Sequence, residues 1–342
     1  MGNSEKLIDV VTLGGSNTDL IMSVSDVMRF ETYSQEEIKK YTAIEYSSKV
    51  NVNSLNIAPG GSASNIASDL ATIGMKTRYL GVIGKDQNGD IALHDMQNRG
   101  VDTSFIKRTD EDLTGVSIIL MTGYGKDRSI LAYKGASNLV DPDYIKEEMI
   151  KDAKVFAWTS LTSERSCAAI QKAIDFAKKY DVIVCACPSI SIIKKQKQKA
   201  IKFVKQSTIA SMNKEEIREL TDEKTTIQGI KKLLSWGITK IAVSLGSKGS
   251  RLIAGENVIE SGIYPVPTTD TTGAGDAFAS GFIYGILNNL SLQKTAKYAS
   301  ALSAFEIKGL GVRIGLPKSI QELEEFIKTH ELEQTELEFK SL

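Results

Sequence analysis

The chain has 342 residues, 42% of them hydrophobic, and lysine plus arginine equals aspartate plus glutamate at 42 each, so its net charge is zero. A balanced chain gives no reason to expect nucleic acid or an anionic membrane as a partner, and no apolar run approaches the roughly 20 residues of a membrane span. The two histidines, His94 and His330, disfavour a Ser-His-Asp triad and a histidine-rich zinc site. The three cysteines, Cys167, Cys185 and Cys187, are typical of reduced thiols, and we therefore expect a cytoplasmic protein.

Strand-like and helix-like segments alternate along most of the chain. Apolar residues three or four positions apart indicate helices, and Gly74 and Gly100 mark the ends of the first two. Strands that alternate with helices form βαβ units, so we predict an α/β fold with a mostly parallel sheet and helices on both faces. The predicted strands lie at 7–15, 77–84, 153–159, 181–187, 207–213 and 240–246, and the predicted helices at 62–74, 88–100, 163–180, 191–205 and 227–237.

Two regions depart from this alternation. The region from residue 20 to about 58 includes most of KVNVNSLNIAPGG, which alternates polar and apolar residues, and residues 114–134 are typical of a hairpin that turns at GYGKD (123–127). Strands without crossover helices predict a small second sheet, and such an appendage often acts as a lid over a site. We divide the chain into a main domain, 1–330, with lid segments at about 18–58 and 112–134, and a charged C-terminal tail, 331–342, expected to be a last helix or frayed.

Polar side chains follow the first predicted strand. Asn17 and Asp19 come shortly after Gly14 and Gly15, at the carboxyl edge where open α/β sheets bind ligands. A dinucleotide-binding interpretation is disfavoured because no third glycine completes G-x-G-x-x-G, and the chain has no G-x-x-x-x-G-K-[ST] motif. Aspartate and asparagine suit the hydroxyls of a polyol or sugar, so we predict that this pair binds one.

A second glycine turn, APGGSASN (58–65), precedes the first predicted helix. Gly60 and Gly61 permit close approach of the backbone, and Asn65 on the first helical turn is placed to reach a substrate hydroxyl. The alternative is a simple turn in which Ser62 or Ser64 caps the helix. Taken alone, this segment favours that alternative.

The segment TTDTTGAGDAFASG (268–281) places a glycine loop at the start of an apolar helix. Free amide groups of Gly273, Ala274 and Gly275 at a helix N-terminus form an anion hole, aided by the helix dipole. Phosphoryl transfer needs such a cradle, together with a base that takes a proton from the attacking hydroxyl. Asp276 is placed to be that base. The alternative, a glycine loop with a carboxylate in the first helical turn, is equally supported by the spacing alone.

At this point the residues carry a family resemblance. The segment DTTGAGDAFASGF (270–282) resembles the C-terminal signature of the ribokinase/PfkB carbohydrate kinase family. The resemblance extends from about Asp9 to about Lys328. Further segments similar to that family are the substrate loop SNTD (16–19), the sugar-binding signature GGSASN (60–65), the lid segment KGASNLVDPD (134–143), the N-x-x-E motif in MNKEE (212–216) and the nucleotide turn SLGSKG (244–249).

The resemblance implies a ribokinase-like three-layer α/β fold with a small β-sheet lid, and it implies a role for each matching residue. Asp276 would be the catalytic base, and Gly273, Ala274 and Gly275 the anion hole. Glu216 would hold Mg²⁺ through water, and Asp270 with Thr272 would form a monovalent-cation site, as in potassium-activated members. The residues implied in substrate binding are Asn17, Asp19, Gly60, Gly61, Asn65 and Asn138, and those implied in nucleotide binding are Asn213, Ser244, Gly246 and Gly249.

The function implied is an ATP- and Mg²⁺-dependent kinase that phosphorylates a hydroxymethyl group of a small sugar. A nucleoside kinase of the same fold is the first alternative, and a non-catalytic sugar-binding protein is the alternative from another class. The small Ser62 leaves room for a larger substrate, whereas Tyr133 and Lys134 are similar to the lid edge of members that act on acidic sugars. An exposed lysine with no such role is the alternative for Lys134.

We also expect a homodimer that forms through the lid. The segment SIILMTG (117–123) is predicted to have an exposed strand edge and one apolar face. Related kinases often pair their lids, which would bury that face.

Overall fold

The computed structural model describes residues 6–33, 38–122 and 128–341, so the turn predicted at 123–127 lies outside the described residues. The strands are β1 (Ile8–Leu13), β2 (Asn17–Val24), β3 (Met28–Tyr33), β4 (Ile38–Ala43), β5 (Val52–Gly60), β6 (Thr77–Leu80), β7 (Val82–Gly84), β8 (Lys107–Thr109), β9 (Gly115–Thr122), β10 (Arg128–Tyr133), β11 (Ala153–Trp158), β12 (Ile183–Ala186), β13 (Ile209–Asn213), β14 (Lys240–Ser244), β15 (Ser250–Ala254), β16 (Asn257–Ser261) and β17 (Gln334–Glu338). The helices are α1 (Ser62–Thr72), α2 (Gln87–Asn98), α3 (Glu164–Lys179), α4 (Ile190–Lys195), α5 (Lys197–Val204), α6 (Lys214–Thr221), α7 (Thr226–Ser235), α8 (Ala274–Leu287), α9 (Leu292–Glu306) and α10 (Ile320–Thr329).

The main sheet has the strand order β17-β16-β15-β14-β13-β12-β11-β1-β6. The six strands from β14 to β6 pair in parallel, and the three at the other edge are antiparallel. Apolar residues of α3 to α7 pack on one face, and those of α1, α8, α9 and α10 pack on the other. The predicted three-layer arrangement is therefore confirmed, and the carboxyl ends of the parallel strands share one edge.

A second sheet stands beside that edge, in the order β10-β9-β2-β5. Its small core contains Ile21, Ala58 and Ile119. The prediction of a small separate sheet is confirmed, but the prediction that 117–123 forms an exposed edge is wrong for its described residues. Strand β9 pairs with β10 on one side and with β2 on the other, so β5 and β10 are the edges.

The C-terminal segment forms an edge strand of the main sheet. Strand β17 pairs antiparallel with β16, which corrects the expectation of a last helix or a frayed tail. The backbone amides and carbonyls at the open edge of β16 form hydrogen bonds with β17. Leu337 and Phe339 of the same segment pack against the core. None of the helices in the part of the chain described here combines the length and apolarity needed to cross a membrane.

Close packing between α8 and α9 fixes where α8 begins. A Cβ atom on Gly281 would lie 2.5 Å from the Cα atom of Ala299, so glycine is required for this approach. Helix α8 also packs against α1. The first turns of α1 and α8 are thereby held side by side at the carboxyl edge of the parallel strands.

Candidate active site

A glycine turn precedes each of α1 and α8, and the N-termini of these two helices lie side by side. Gly61 precedes α1 with a φ of 102°, and Gly273 precedes α8 with a φ of 81°. Both values lie in the left-handed region, which glycine adopts without strain. Neither glycine has a side chain that could cap its helix, and the amide of Ala274 makes only a long, 3.4 Å hydrogen bond to the carbonyl of Thr271, so both helix N-termini are open to a ligand.

The side chains of Asp276 and Asn65 meet between these two helix starts. The amide Nδ2 of Asn65 donates to Oδ2 of Asp276 over 2.7 Å. Burial raises the pKa of Asp276, whereas hydrogen bonds from Asn65 and Ser62 and the charge of Arg313 lower it. The predicted base therefore lies in a partly desolvated position in which hydrogen bonds favour its ionised form.

A cavity of about 230 Å³ opens above Asp276, between the main sheet and the second sheet. Asp19 is buried in its wall and accepts a 2.6 Å hydrogen bond from Nδ2 of Asn17. Gly60 backs this carboxylate, since a Cβ there would lie 2.5 Å from Oδ2 of Asp19. Burial raises the pKa of Asp19 to about 6. The predicted residues that line this first cavity are Asn17, Asp19, Gly61, Asn65, Asn138, Thr272, Gly273 and Asp276.

A second cavity of about 420 Å³ lies on the other side of the glycine loop. Its walls are mainly apolar, as suits a flat aromatic base, and include Ile263, Val266 and Phe278. A Cβ on Gly275 or Gly246 would meet no other atom within 4 Å, so both glycines leave space open. The predicted residues that line this second cavity are Ser244, Gly246, Gly249, Ala274 and Gly275.

A third cavity of about 120 Å³ connects the other two, because Asp276 also lines the first cavity and Ser244 and Gly275 also line the second. Asn213 and Glu216 lie in its wall, and Asn213 caps α6 with two 2.9 Å hydrogen bonds. Burial raises the pKa of Glu216 to about 7. A single carboxylate such as Glu216 suits an ion that keeps several of its waters, as Mg²⁺ does. Among the described residues no cluster of three or more His, Cys, Asp or Glu side chains is arranged around a metal.

Comparison with known proteins identifies the family. The sequence model described as pfkB family carbohydrate kinase matches residues 18–319. The chain belongs to this family. A 5-dehydro-2-deoxygluconokinase from Clostridium botulinum is 31% identical over 288 residues, which cover 79% of this chain and 84% of the relative. An ATP-dependent 6-phosphofructokinase from Thermoanaerobacterium thermosaccharolyticum is 26% identical over 322 residues, 92% of each chain.

The fold of this pfkB-family kinase is that of ribokinases. The structure of Arabidopsis thaliana ribokinase complexed with ribose and ATP superposes with a TM-score of 0.77 at 21% sequence identity, covering 94% of this chain and 99% of the ribokinase. The predicted family, fold and assignment as a carbohydrate kinase are therefore confirmed.

The predicted cation site at Asp270 is engaged by protein groups. Oδ1 of Asp270 accepts hydrogen bonds from the backbone and hydroxyl of Thr272, and Oδ2 accepts one from the amide of Gly311. The guanidinium of Arg128, on lid strand β10, lies 3.4 Å from Oδ1 and donates to Thr271. This carboxylate already has donors and a cationic partner, so its side chain does not fit a free monovalent cation as arranged.

Sequence reasoning missed a set of buried charged groups beneath the glycine loop of this kinase. Arg313 is 2% exposed and donates from Nε to Oδ1 of Asn65 over 3.0 Å. Glu306 accepts from the backbone amide of Arg313, and Asp69 accepts from Ser280. The available signal was a carboxylate within an apolar helical pattern, as in IASDLATIG and ALSAFEIKG.

We expect Asp19→Asn to stabilise the protein at pH 8. The pKa of Asp19 rises from 3.8 in the unfolded chain to about 6 in the folded protein. The folded state therefore binds more protons between these values, and ionisation of Asp19 lowers stability as the pH rises through this window. Each pKa unit corresponds to about 1.4 kcal/mol, so removal of the charge adds on the order of 3 kcal/mol at pH 8 and little at pH 4. Urea denaturation at both pH values measures this, with the exposed Asp175→Asn as the control. Equal stability of Asp19→Asn and wild type at pH 8 would contradict it.

Proposed function

We propose that this kinase transfers the γ-phosphoryl group of ATP to a hydroxymethyl group of a small sugar, with Asp276 as the base. The observation that supports this best is the position of Asp276 on the wall between the first cavity and the small connecting cavity. A sugar hydroxyl in the first cavity would face the carboxylate from one side. The phosphates of a nucleotide in the second cavity would approach from the other side, past Gly275.

The proposed role of Asp276 follows from its surroundings. A base is most effective when its pKa lies close to the working pH, and burial raises the pKa of Asp276 toward that range. Asn65 donates to Oδ2 of Asp276, and the carboxylate faces the first cavity, where a substrate hydroxyl would reach it. The carboxylate would take the proton as the hydroxyl oxygen bonds to the γ-phosphorus atom, while the bond from that atom to the bridging oxygen breaks and ADP leaves.

The glycine loop supplies the proposed anion hole. The backbone amides of Gly273, Ala274 and Gly275 lie at the N-terminus of α8, where the helix dipole is positive. These amides would donate hydrogen bonds to the oxygens of the transferred phosphoryl group and so stabilise the negative charge that develops on them. Mg²⁺, when bound, would neutralise phosphate charge, with Glu216 holding its waters and Asn213 nearby.

Asp276→Asn tests the assignment of the base. We expect kcat to fall by about 10²- to 10⁴-fold, because the amide cannot accept the proton. The dissociation constant of the sugar should stay within a few-fold, since Asn keeps the shape of the side chain. Coupled ADP-release kinetics and calorimetric sugar binding measure the two quantities, and Asp175→Asn on the surface of α3 is the matched control. Unchanged kcat in Asp276→Asn would remove Asp276 from the mechanism.

Lys134 favours an acidic sugar over a nucleoside as the substrate. It lines the first cavity and is half-buried. Burial and the neighbouring Lys195 both lower the pKa of Lys134, so an anionic group of the substrate would offset both effects. The relative from Clostridium botulinum is named as a kinase of a gluconate derivative, and gluconates carry a carboxylate.

A substrate panel distinguishes these classes. We expect higher kcat/KM for 5-dehydro-2-deoxygluconate and ketodeoxygluconate than for ribose, fructose, adenosine, cytidine or inosine. Lys134→Met should raise KM for the preferred acid by about 10- to 100-fold, the value of a charged hydrogen bond, and Lys178→Met on the exposed face of α3 should not. ADP release across the panel measures both effects. Preference for a nucleoside would identify the protein as a nucleoside kinase. Preference for a neutral sugar would contradict the proposal that Lys134 binds an anionic group of the substrate.

We also propose a cytoplasmic homodimer in which the lid segments, about 18–58 and 112–134 of the 1–330 domain, pair between two copies. On the face of the second sheet turned away from the first cavity, the edge strands β5 and β10 carry apolar side chains that are half exposed or more: Leu55, Ile57 and Leu131. Burial of such a patch against its own copy is favourable.

Light scattering tests the dimer. At micromolar concentration we expect the mass of two chains for the wild type and of one chain for Leu55→Lys/Leu131→Lys, because two buried charges oppose pairing. Ile263→Lys, an exposed apolar residue on the main domain, is the control and should remain dimeric. A wild-type mass of one chain would contradict the proposal.

A further inference from the structure

Arg313 occupies an unusual position beneath the first turn of α1. Its side chain is buried and its backbone has a φ of 67°, a left-handed conformation that non-glycine residues rarely adopt. The backbone amide of Arg313 donates to Oε1 of Glu306 over 2.8 Å. Two residues earlier, the amide of Gly311 donates to Asp270 over 3.2 Å. These two buried carboxylates hold the loop so that the guanidinium points under α1.

The guanidinium of Arg313 donates two hydrogen bonds to the side-chain amide oxygen of Asn65. Nε and one terminal nitrogen donate to Oδ1 of Asn65 over 3.0 and 2.8 Å. The same terminal nitrogen donates to the hydroxyl of Ser64 over 2.8 Å, and the other donates to Asp95 over 2.5 Å. Because a guanidinium only donates, the oxygen of the Asn65 amide must face Arg313. The nitrogen must then face Asp276, to which it donates over 2.7 Å.

We propose that Arg313 is a positioning residue for the phosphoryl transfer, which acts through Asn65 to orient the carboxylate of Asp276. This inference rests on the proposed function, in which Asp276 is the base. Without Arg313, rotation of the Asn65 amide by half a turn would place its oxygen against the carboxylate. Two acceptors would then oppose each other, and Asp276 would lose its orientation toward the substrate hydroxyl.

Arg313 also affects the pKa of Asp276 through its positive charge, because the other titratable groups around Asp276 are acidic. Burial raises the pKa of Glu306 to about 7 and that of Asp69 well above its usual value, which favours the neutral forms. One carboxyl oxygen of each has no hydrogen-bond partner among the described residues. The positive charge of Arg313 lowers the pKa of Asp276. The other titratable groups that face Asp276 are Asp69 on α1, Glu306 on α9, Glu216 on α6 and Cys187 after β12.

Kinetics of Arg313→Met test the proposal. We expect kcat to fall by about 10- to 100-fold with KM for sugar and ATP within two-fold, the effect of a misplaced catalytic group. The acid limb of the kcat–pH profile should move to higher pH, since the base loses a donor and a nearby positive charge. The matched control is Arg99→Met, which removes another arginine that pairs with Asp95 and also donates to the backbone carbonyl of Arg313 over 3.2 Å, but does not contact Asn65. Its kcat should remain within two-fold of wild type.

A double-mutant cycle tests whether Arg313→Met lowers kcat through the contact with Asn65 or through a general disturbance of the structure. With kcat taken on the pH-independent plateau, where the charge of Arg313 no longer affects ionisation of Asp276, Arg313→Met in an Asn65→Ala background should change kcat by less than two-fold, because the contact is already absent. Independent losses that multiply would overturn the proposal. If Arg313→Met does not fold, Arg313→Lys takes its place. A single ammonium group cannot reproduce the fork that holds Asn65, Ser64 and Asp95 together, so a fall in kcat with unchanged KM is again expected.

A carboxyl ¹³C titration of Asp276, assigned with Asp276→Asn, gives a readout that needs no substrate. We expect a higher apparent pKa in Arg313→Met than in wild type and Arg99→Met. If wild type phosphorylates nothing while this shift is present, the proposed function fails and the orientation of Asp276 by Arg313 stands. If wild type is active and Arg313→Met changes neither the titration nor kcat, the positioning role is overturned.

Discussion

The hydrogen bond from Asn65 to Asp276 joins two first turns that are 211 positions apart in the chain. It can form only if α1 and α8 begin at the same edge of the sheet, one after β5 and the other after the glycine loop. The left-handed glycines at both N-caps turn the chain into each helix without a side chain in the way. The packing of Gly281 against Ala299 then holds α8 at the distance this bond requires. The cavities on either side of the bond follow from that placement.

Electrostatics around this contact explain why the site needs so many buried polar groups. A carboxylate that acts as a base must be shielded from water enough to raise its pKa, yet it must remain ionised when the substrate binds. Burial alone would favour the protonated form of Asp276, as it does for Asp69 and Glu306. Hydrogen bonds from Asn65 and Ser62 and the charge of Arg313 act in the opposite direction. The site balances these effects on the carboxylate of Asp276, whereas burial shifts the neighbouring Asp69 and Glu306 toward their protonated forms.

Local patterns in the sequence predicted most of what is local in the structure. Helix periodicity predicted α1, α2 and α3, terminal glycines marked the ends of the first two, and the glycine loop placed Asp276 on the first turn of α8. The pairing of β17 with β16 was missed, because a charged segment gains its strand conformation from the open edge it covers. The edge positions of β5 and β10 were missed for a similar reason, since strand order in a sheet is a long-range property. Arg313 was missed because its function depends on Asn65, which lies 248 positions away.

One wall of the first cavity belongs to the main sheet and its helices, and the other belongs to the second sheet. The residues proposed for the reaction and those proposed to select the substrate therefore lie in different parts of the protein. Asp276 and Asn65 lie on helices that pack on one face of the main sheet, so their geometry is tied to a large hydrophobic core. Lys134, Ser117 and Ile130 belong to β9, β10 and the turn that follows, which rest on a core of few buried residues. A change in the second group alters the shape and charge presented to the substrate without disturbing the base. The glycine motif therefore predicts the reaction, whereas the acceptor depends on side chains for which no local pattern in the sequence is diagnostic.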